Sequence, residues 1–183
     1  MRDIIKNRAV VSDDWEILRL AEGDDPEAID IPAGKVIVPL TVWQARRDAL
    51  DSRLTAGELG VWLASHERPE ALKDELGRFK LIAVDFPKFA DGRGYSIAFN
   101  LRRYGYAGEL RAIGDVLRDQ LFYMQRVGFD AFAVREDKDI NVALKGLTDF
   151  SEVYSNSWDQ KSPLFRRVQR GAGAEKAEEK VGA

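Results

Sequence analysis

The 183-residue chain contains no cysteine and a single histidine, His66. The absence of cysteine excludes a disulfide framework, a cysteine-ligated iron–sulfur cluster, a thiol redox centre and a cysteine nucleophile. One histidine also excludes zinc fingers and sites with several histidine ligands, so any metal site must use oxygen ligands alone. We therefore predict no metal site and no evident cofactor, and we expect His66 to be exposed rather than catalytic.

Long hydrophobic runs and an excess of positive charge are absent as well. No stretch approaches the ~18 consecutive apolar residues of a membrane span, and Met1–Arg8 is too polar and too short for a signal peptide. The 28 Lys and Arg residues are balanced by 31 Asp and Glu residues, so the net charge gives no reason to expect nucleic-acid binding. The hydrophobic fraction of 45% supports a packed core. We expect a soluble, cytoplasmic protein without membrane or nucleic-acid partners.

Short apolar runs that alternate with segments of helical period predict an α/β fold. The predicted strands are Lys35–Pro39, Leu59–Ala64, Lys80–Asp85, Glu109–Ile113 and Ala131–Arg135. Their apolar residues are consecutive rather than alternating with polar ones, which is typical of parallel strands that are covered on both faces. About five consecutive β-α units follow. They predict a mainly parallel sheet, either open and doubly wound or closed in part as a (β/α) barrel.

Apolar stripes at helical spacing separate these strands. Pro69 suits the first position of one such helix, and Asp115 is placed to cap the N-terminus of another. The stripes run over Val42–Leu50, Leu72–Phe79, Ile97–Tyr104, Leu117–Met124 and Ile140–Leu147.

The chain divides into three predicted regions. Residues 1–34 form an N-terminal β hairpin or meander that covers an edge of the core, and residues 35–165 form a single α/β domain. Residues 166–183 form a tail that is first basic and then of low complexity, and it is predicted to be disordered. An incomplete sheet has edges that must be covered. Either the N-terminal strands or a second subunit, and hence a homo-oligomer, supplies that cover.

Polar residues are concentrated where the predicted strands end. Ligands of parallel α/β sheets bind at the carboxyl ends of the strands, so we expect a ligand site there, without an assigned catalytic residue. The candidate ligand-binding residues are Asp85, Lys88, Asp91, Gly92, Arg93, Gly94, Arg111, Asp115, Arg118 and Arg135.

The Asp91–Gly94 loop is the sharpest local feature of this set. Two glycines flank Arg93 just before a predicted helix, and glycine allows a ligand to approach the backbone closely. The helix start supplies amide donors, and Arg93 adds a planar, bidentate donor. This arrangement predicts a pocket for a small oxyanion such as sulfate, sulfite or phosphate. The alternative is a tight turn in which Asp91 caps the helix.

Arg111 lies inside a predicted strand and therefore requires a buried partner, because an unpaired interior charge is strongly destabilising. Asp85 on the neighbouring strand is the predicted partner. The two residues form either a structural ion pair or a site in which Asp85 orients Arg111 toward an anion. Arg118 and Arg135 are expected at the same end of the sheet, as surface cations or as further ligand contacts.

The central part of the sequence resembles an uncharacterised bacterial family, a domain of unknown function. The resemblance rests on the run Val84–Ser96 and continues through Leu101–Arg102, Gly105–Tyr106, Gly108–Ala112, Gly114–Leu117, Asp119–Gln120 and Met124–Asp130. It covers most of the chain from near Asn7 to about Phe150. Members of the family are commonly encoded beside assimilatory sulfite reductase and the adenylylsulfate reductases. They are described as probable oxidoreductases of sulfite reduction, so the resemblance implies a place in sulfate assimilation and cysteine biosynthesis.

The missing cysteines qualify what the resemblance implies. Reduction of sulfite to sulfide requires sirohaem, an iron–sulfur cluster and an electron donor, and this chain has neither cluster ligands nor a recognisable flavin or nicotinamide loop. The predicted function is therefore an accessory protein of assimilatory sulfate and sulfite reduction. Its partner is sulfite reductase or another enzyme of the pathway, and it binds a sulfur oxyanion.

The alternative is a small enzyme that acts on an anionic substrate containing sulfur or phosphate at the strand ends. Convergence of Asp85, Arg93, Arg111 and Asp115 in one concave pocket favours this enzyme, whereas a flat surface favours the accessory protein.

Overall fold

A computed structural model describes residues 2–167. Its strands are β1 (Arg2–Lys6), β2 (Ala9–Asp13), β3 (Glu16–Ile17), β4 (Val36–Pro39), β5 (Leu59–Leu63), β6 (Leu81–Phe86), β7 (Glu109–Gly114) and β8 (Ala131–Phe132). Its helices are α1 (Leu40–Ala45), α2 (Arg47–Ala56), α3 (Arg93–Arg103), α4 (Arg118–Val127), α5 (Ile140–Lys145) and α6 (Leu164–Arg167). Short 3₁₀ turns occupy Pro69–Leu72, Leu76–Arg78 and Gly146–Thr148.

These eight strands form one sheet in the order β2-β1-β8-β7-β6-β5-β4-β3. Strands β3 to β8 pair in parallel, whereas β1 is antiparallel to both β8 and β2. The predicted α/β class and the mainly parallel sheet are therefore confirmed. The N-terminal strands belong to this same sheet, with β1 and β2 beyond β8 and β3 beyond β4.

The sheet is strongly curled, and its topology requires the curl. Strands β2 and β3 stand at opposite edges of the sheet order, yet only Asp14 and Trp15 separate them in the chain. A flat sheet of eight strands is roughly 33 Å wide, whereas this link spans at most about 11 Å. The segment pairs with β1 through β2 and with β4 through β3. The result is a half-barrel whose two edges are joined covalently.

The two faces of the sheet are buried by different partners. One face carries the main core, to which the helices contribute residues such as Trp43, Leu101 and Met124. The other face carries a smaller cluster around Ile37, Leu81 and four further strand-side residues, and within the described chain no helical residue belongs to it. The helices therefore lie on the outside of the curl. This one-sided arrangement excludes the doubly wound alternative and explains why the strand sequences are apolar on both faces.

The β-α rhythm is interrupted after β5, where the predicted helix is replaced by the two 3₁₀ turns Pro69–Leu72 and Leu76–Arg78. The predicted stripe is nevertheless buried, since Leu72, Leu76 and Phe79 all point into the core. β8 is also shorter than predicted: its ladder ends at Phe132, although Ala133 still donates a backbone hydrogen bond to Ala112 O.

At the N-terminus, the hairpin turn lies at Asn7 and Arg8, which have φ angles of 50° and 64°. The predicted C-terminal tail lies outside the described residues from position 168 onward, and Arg166 and Arg167 end α6. No helix within residues 2–167 is long and apolar enough to cross a membrane.

Candidate functional site

An open cleft of about 480 Å³ lies at the carboxyl ends of the central strands, and we call it the mouth cleft. Strands β6 and β7 contribute its floor, and the segments after β3 and β8 contribute its walls. It is lined by Arg19, Asp85, Phe86, Pro87, Gly114, Asp115 and Arg135. Three of the predicted site residues, Asp85, Asp115 and Arg135, therefore come together here.

Arg19 and Asp85 form an ion pair at the base of this cleft. Arg19 Nη2 donates a hydrogen bond to Asp85 Oδ1 at 2.7 Å, and Asp85 is only 7% exposed. The Arg19 guanidinium also lies 5.3 Å above the ring of Trp62, whose indole N–H donates to Leu18 O. Stacking and pairing together hold the guanidinium in one orientation.

Arg135 is bound on two sides by carboxylates. Its Nη1 donates to Asp115 Oδ1 at 3.0 Å, and its Nε and Nη2 donate to Asp137 at 2.9 and 2.8 Å. Hydrogen bonds from Arg135 and then Lys138 lower the pKa of Asp137 to about 2. The hydrogen bonds of Arg135 to Asp137 and then to Asp115 raise the pKa of Arg135. Arg135 therefore lines the mouth cleft as a cation whose charge is already paired with two carboxylates.

Asp115 does not cap α4, which corrects the sequence prediction. Its Oδ2 accepts from the backbone N–H of Phe89 at 2.9 Å, so its carboxylate ties the loop after β6 to Arg135. Helix α4 instead begins after Leu117, whose backbone N–H donates to Gln120 Oε1.

Gly114 keeps the base of the cleft open to Asp85. Its φ angle is +90°, a region that side-chain-bearing residues rarely adopt. A Cβ atom at this position would lie 2.4 Å from Phe86 O and 2.7 Å from Asp85 Oδ1. Any larger residue would therefore displace the carboxylate or the end of β6.

The Asp91–Gly94 loop has the geometry of the capped turn. Arg93 folds back onto Asp91, with Nε and Nη2 at 2.9 and 2.6 Å, and the Arg93 backbone N–H also donates to Asp91 Oδ1. Hydrogen bonds from Arg93 and then Ser65 hold the pKa of Asp91 well below its usual range. Its carboxylate therefore stands where the oxyanion was expected. Gly92 has φ −78° and open space around it, whereas Gly94 lies against the Phe86 ring.

The predicted Asp85–Arg111 pair is wrong. Arg111 is 1% exposed and donates to both carboxylate oxygens of Asp13, at 2.7 and 3.0 Å, and to Glu109 at 2.7 Å. Lys6 pairs with the same Glu109 at 2.6 Å. We call Arg111, Asp13, Glu109 and Lys6 the inner network. In register, Arg111 lies opposite Ala83, two residues before Asp85, and the curl of the sheet brings Asp13 within reach instead.

The remaining candidates lie outside the mouth cleft. Lys88 is exposed on the loop after β6, and Arg118 pairs with Asp149 at 2.5 Å. His66 is exposed, as the sequence suggested. Among residues 2–167, no group of three or more His, Cys, Asp or Glu side chains is arranged to hold a metal ion.

A second surface of interest consists of aromatic side chains on α3, on α4 and on the loop after β6. Phe89, Phe99 and Tyr123 are 58%, 52% and 58% exposed, and the Tyr123 ring lies 5.3 Å from that of the half-buried Tyr95. The side chain of Gln120 donates to Phe89 O, which fixes the loop beside α4. We call Phe89, Tyr95, Phe99 and Tyr123 the aromatic face.

Comparison with known protein families gives a match to the central part of the chain. A family described as "Bacterial protein of unknown function (DUF934)" matches residues 60–165, from β5 into α6. No curated protein and no solved structure matches the chain. The matched segment contains Asp85, Asp115 and Arg135, whereas Arg19 and Asp13 precede it.

Proposed function

Because the chain belongs to the bacterial family of unknown function DUF934, we propose that it is an accessory protein of assimilatory sulfite reduction that docks onto sulfite reductase. The pathway comes from the resemblance to proteins encoded beside that enzyme. A docking role agrees with a sequence that has no cysteine to ligate an iron–sulfur cluster. In this role the redox centres belong to the reductase, and this chain contributes a binding surface in the cytoplasm.

The observation that carries the proposal is the aromatic face. Three large rings that are each more than half exposed form a surface of the kind that marks protein interaction sites. Tyrosine and phenylalanine are enriched at the cores of protein interfaces, where they bury much area at little conformational cost. The contact between Tyr95 and Tyr123 joins α3 to α4, so the surface is ordered before a partner arrives.

The arrangement of the charged candidates also favours a docking protein over the small enzyme. Asp85 and Asp115 line the mouth cleft, but Arg93 is folded onto Asp91 and Arg111 lies in the inner network. The four residues whose convergence would indicate an enzyme therefore do not meet in one pocket.

The test measures binding of the purified chain to each subunit of sulfite reductase by surface plasmon resonance. The wild type is expected to bind one subunit. The double variant Phe99→Ser, Tyr123→Ser is expected to bind at least about tenfold more weakly, because it removes two candidate anchor residues. The matched control is Tyr154→Ser, which removes an exposed ring outside the aromatic face. Absence of wild-type binding, or equal binding by the double variant, would contradict the proposed docking.

A deletion strain tests the pathway separately. Rescue of growth by sulfide but not by sulfite is expected, since that pattern places the protein at sulfite reduction. Normal growth of the deletion strain on sulfate would contradict the pathway assignment.

A further inference from the structure

We propose that the mouth cleft binds a small oxyanion that still carries a proton, and that the Arg19–Asp85 pair selects it against fully deprotonated oxyanions. Phosphate and sulfite share this chemistry near neutral pH, whereas sulfate retains no proton. The site stands apart from the proposed docking role, because it uses none of the residues of the aromatic face.

Within residues 2–167, the protein leaves most hydrogen-bond donors of Arg19 unused. A guanidinium has five N–H donors in a planar fork, and only one Arg19 hydrogen bond is made within residues 2–167, to Asp85. Trp62 supports the guanidinium at 5.3 Å, and the side chain is 49% exposed and lines the cleft. The remaining edge is therefore pre-oriented to donate two parallel hydrogen bonds to neighbouring oxygens of one anion.

Asp85 supplies a hydrogen-bond acceptor beside Arg19. This carboxylate is more than nine-tenths buried and lines the cleft. Its one hydrogen bond among the described residues uses Oδ1, so Oδ2 is available to accept a hydrogen bond from a ligand. A protonated oxyanion presents an O–H at the position where a fully deprotonated one presents a negative oxygen. Asp85 therefore attracts the first and repels the second.

The charge of the whole cleft lining also favours a protonated ligand. Its titratable groups are two arginines, Arg19 and Arg135, and two aspartates, Asp85 and Asp115. Arg135 is occupied by Asp115 and by Asp137 outside the cleft, and Asp115 also accepts from the Phe89 backbone. The lining is neutral by this count, and Arg19 is its least occupied cation. A protonated oxyanion, which has an O–H donor beside its acceptor oxygens, fits such a lining better than a dianion that offers only acceptors.

The binding test needs only the wild-type chain. Isothermal titration calorimetry is performed with phosphate, with freshly prepared sulfite and with sulfate at one ionic strength and neutral pH. The expected result is that phosphate, sulfite or both bind at least about tenfold more tightly than sulfate, which is the effect of one charge-assisted hydrogen bond. Tighter binding of sulfite identifies a sulfur oxyanion as the ligand, and tighter binding of phosphate identifies a phosphate.

Two variants and a control assign the selectivity to residues. Asp85→Asn is expected to reduce the preference over sulfate by about tenfold or more, because the amide no longer repels a deprotonated oxygen. Arg19→Gln is expected to abolish binding of all three anions. The control Arg78→Gln removes a similar arginine, which pairs with Asp51 and lies over Trp43 far from the cleft, and it is expected to leave binding unchanged.

Binding of sulfate by the wild type as tightly as both phosphate and sulfite would overturn the proposal, as would failure of all three anions to bind. Binding that survives in Arg19→Gln would overturn it as well. If Asp85→Asn does not fold, as judged by circular dichroism, the wild-type selectivity and the Arg19→Gln variant still decide the question. None of these outcomes depends on whether sulfite reductase is the partner.

Discussion

The inner network and the mouth cleft use the same chemistry in opposite surroundings. Arg111 is enclosed within the curled sheet by Asp13 and Glu109. Arg19 is half exposed, stacks on Trp62 and, among the described residues, pairs with Asp85 alone. The enclosed arginine has its donors committed to the protein, so it determines how the strands fit together. The exposed arginine keeps donors that a ligand can use. Burial, rather than residue type, separates the structural pair from the candidate binding pair.

The largest expected effect comes from Arg111→Ala. The substitution leaves Asp13 buried without its cation and leaves Glu109 paired with Lys6 alone. Breaking a buried pair typically costs about 3–5 kcal/mol. Denaturation in urea at neutral pH is expected to show a loss of that size. A loss below about 1 kcal/mol would mean that the network is not structural and would remove the contrast with the mouth cleft.

The next effect concerns the glycine at the base of the cleft. Gly114→Ala places a Cβ against Phe86 O and imposes an unfavourable φ of +90°, so we expect a loss of about 1–3 kcal/mol in unfolding free energy. Gly92→Ala is the matched control, because Gly92 has an ordinary φ and no neighbouring atoms within 4 Å. Equal effects of the two substitutions would contradict the close approach described for Gly114.

A smaller effect is expected for Arg19→Gln. Arg19 is half exposed, and its buried partner Asp85 lines an open cleft, so we expect a loss of about 1 kcal/mol in unfolding free energy. The same variant is expected to lose anion binding, so stability and binding separate at this residue. A large loss of stability would place Arg19 with Arg111 as a structural residue instead.

The smallest effect is a pH dependence at the Asp91–Arg93 turn. Because the pKa of Asp91 is lowered in the folded chain, its contribution to stability is present above its unfolded pKa of about 3.9. That contribution is lost as the pH falls through the folded value. The difference in unfolding free energy between wild type and Asp91→Asn is therefore expected to shrink from about pH 4 downward. A difference that stays constant on acidification would mean that the Asp91 charge does not stabilise the turn.

Local sequence patterns predict the central strands well. The predicted bounds of β4 to β7 differ from the observed ones by no more than one residue at either end, because continuous apolar runs reflect burial on both faces. The helix predicted from Pro69 onward is wrong, although its apolar residues are buried as expected. Its apolar stripe reports burial correctly, but a 3₁₀ turn buries residues at similar spacing, so the pattern does not distinguish the two.

Local sequence patterns do not predict which charged residues pair with each other. Asp115 and Arg135 are placed correctly at the strand ends, since parallel strands bring their carboxyl ends to one edge. The partners Asp13 and Arg19 are missed, because both lie in the N-terminal segment, far in sequence from Arg111 and Asp85. Their positions follow from the curl of the sheet. The short link between β2 and β3 carries no composition signal that would reveal this curl.

The two-residue link at Asp14 and Trp15 also bears on how the chain reaches its fold. β1 pairs with β8, so that Ile5 lies opposite Phe132, while β3 pairs with the much nearer β4. During synthesis the N-terminal hairpin therefore emerges long before the strand it must pair with, and contacts of such separation form slowly. The N-terminal strand β1 can pair with the rest of the sheet only through β8, which is synthesised after all the other strands. The curled sheet can be completed only after β8 has left the ribosome.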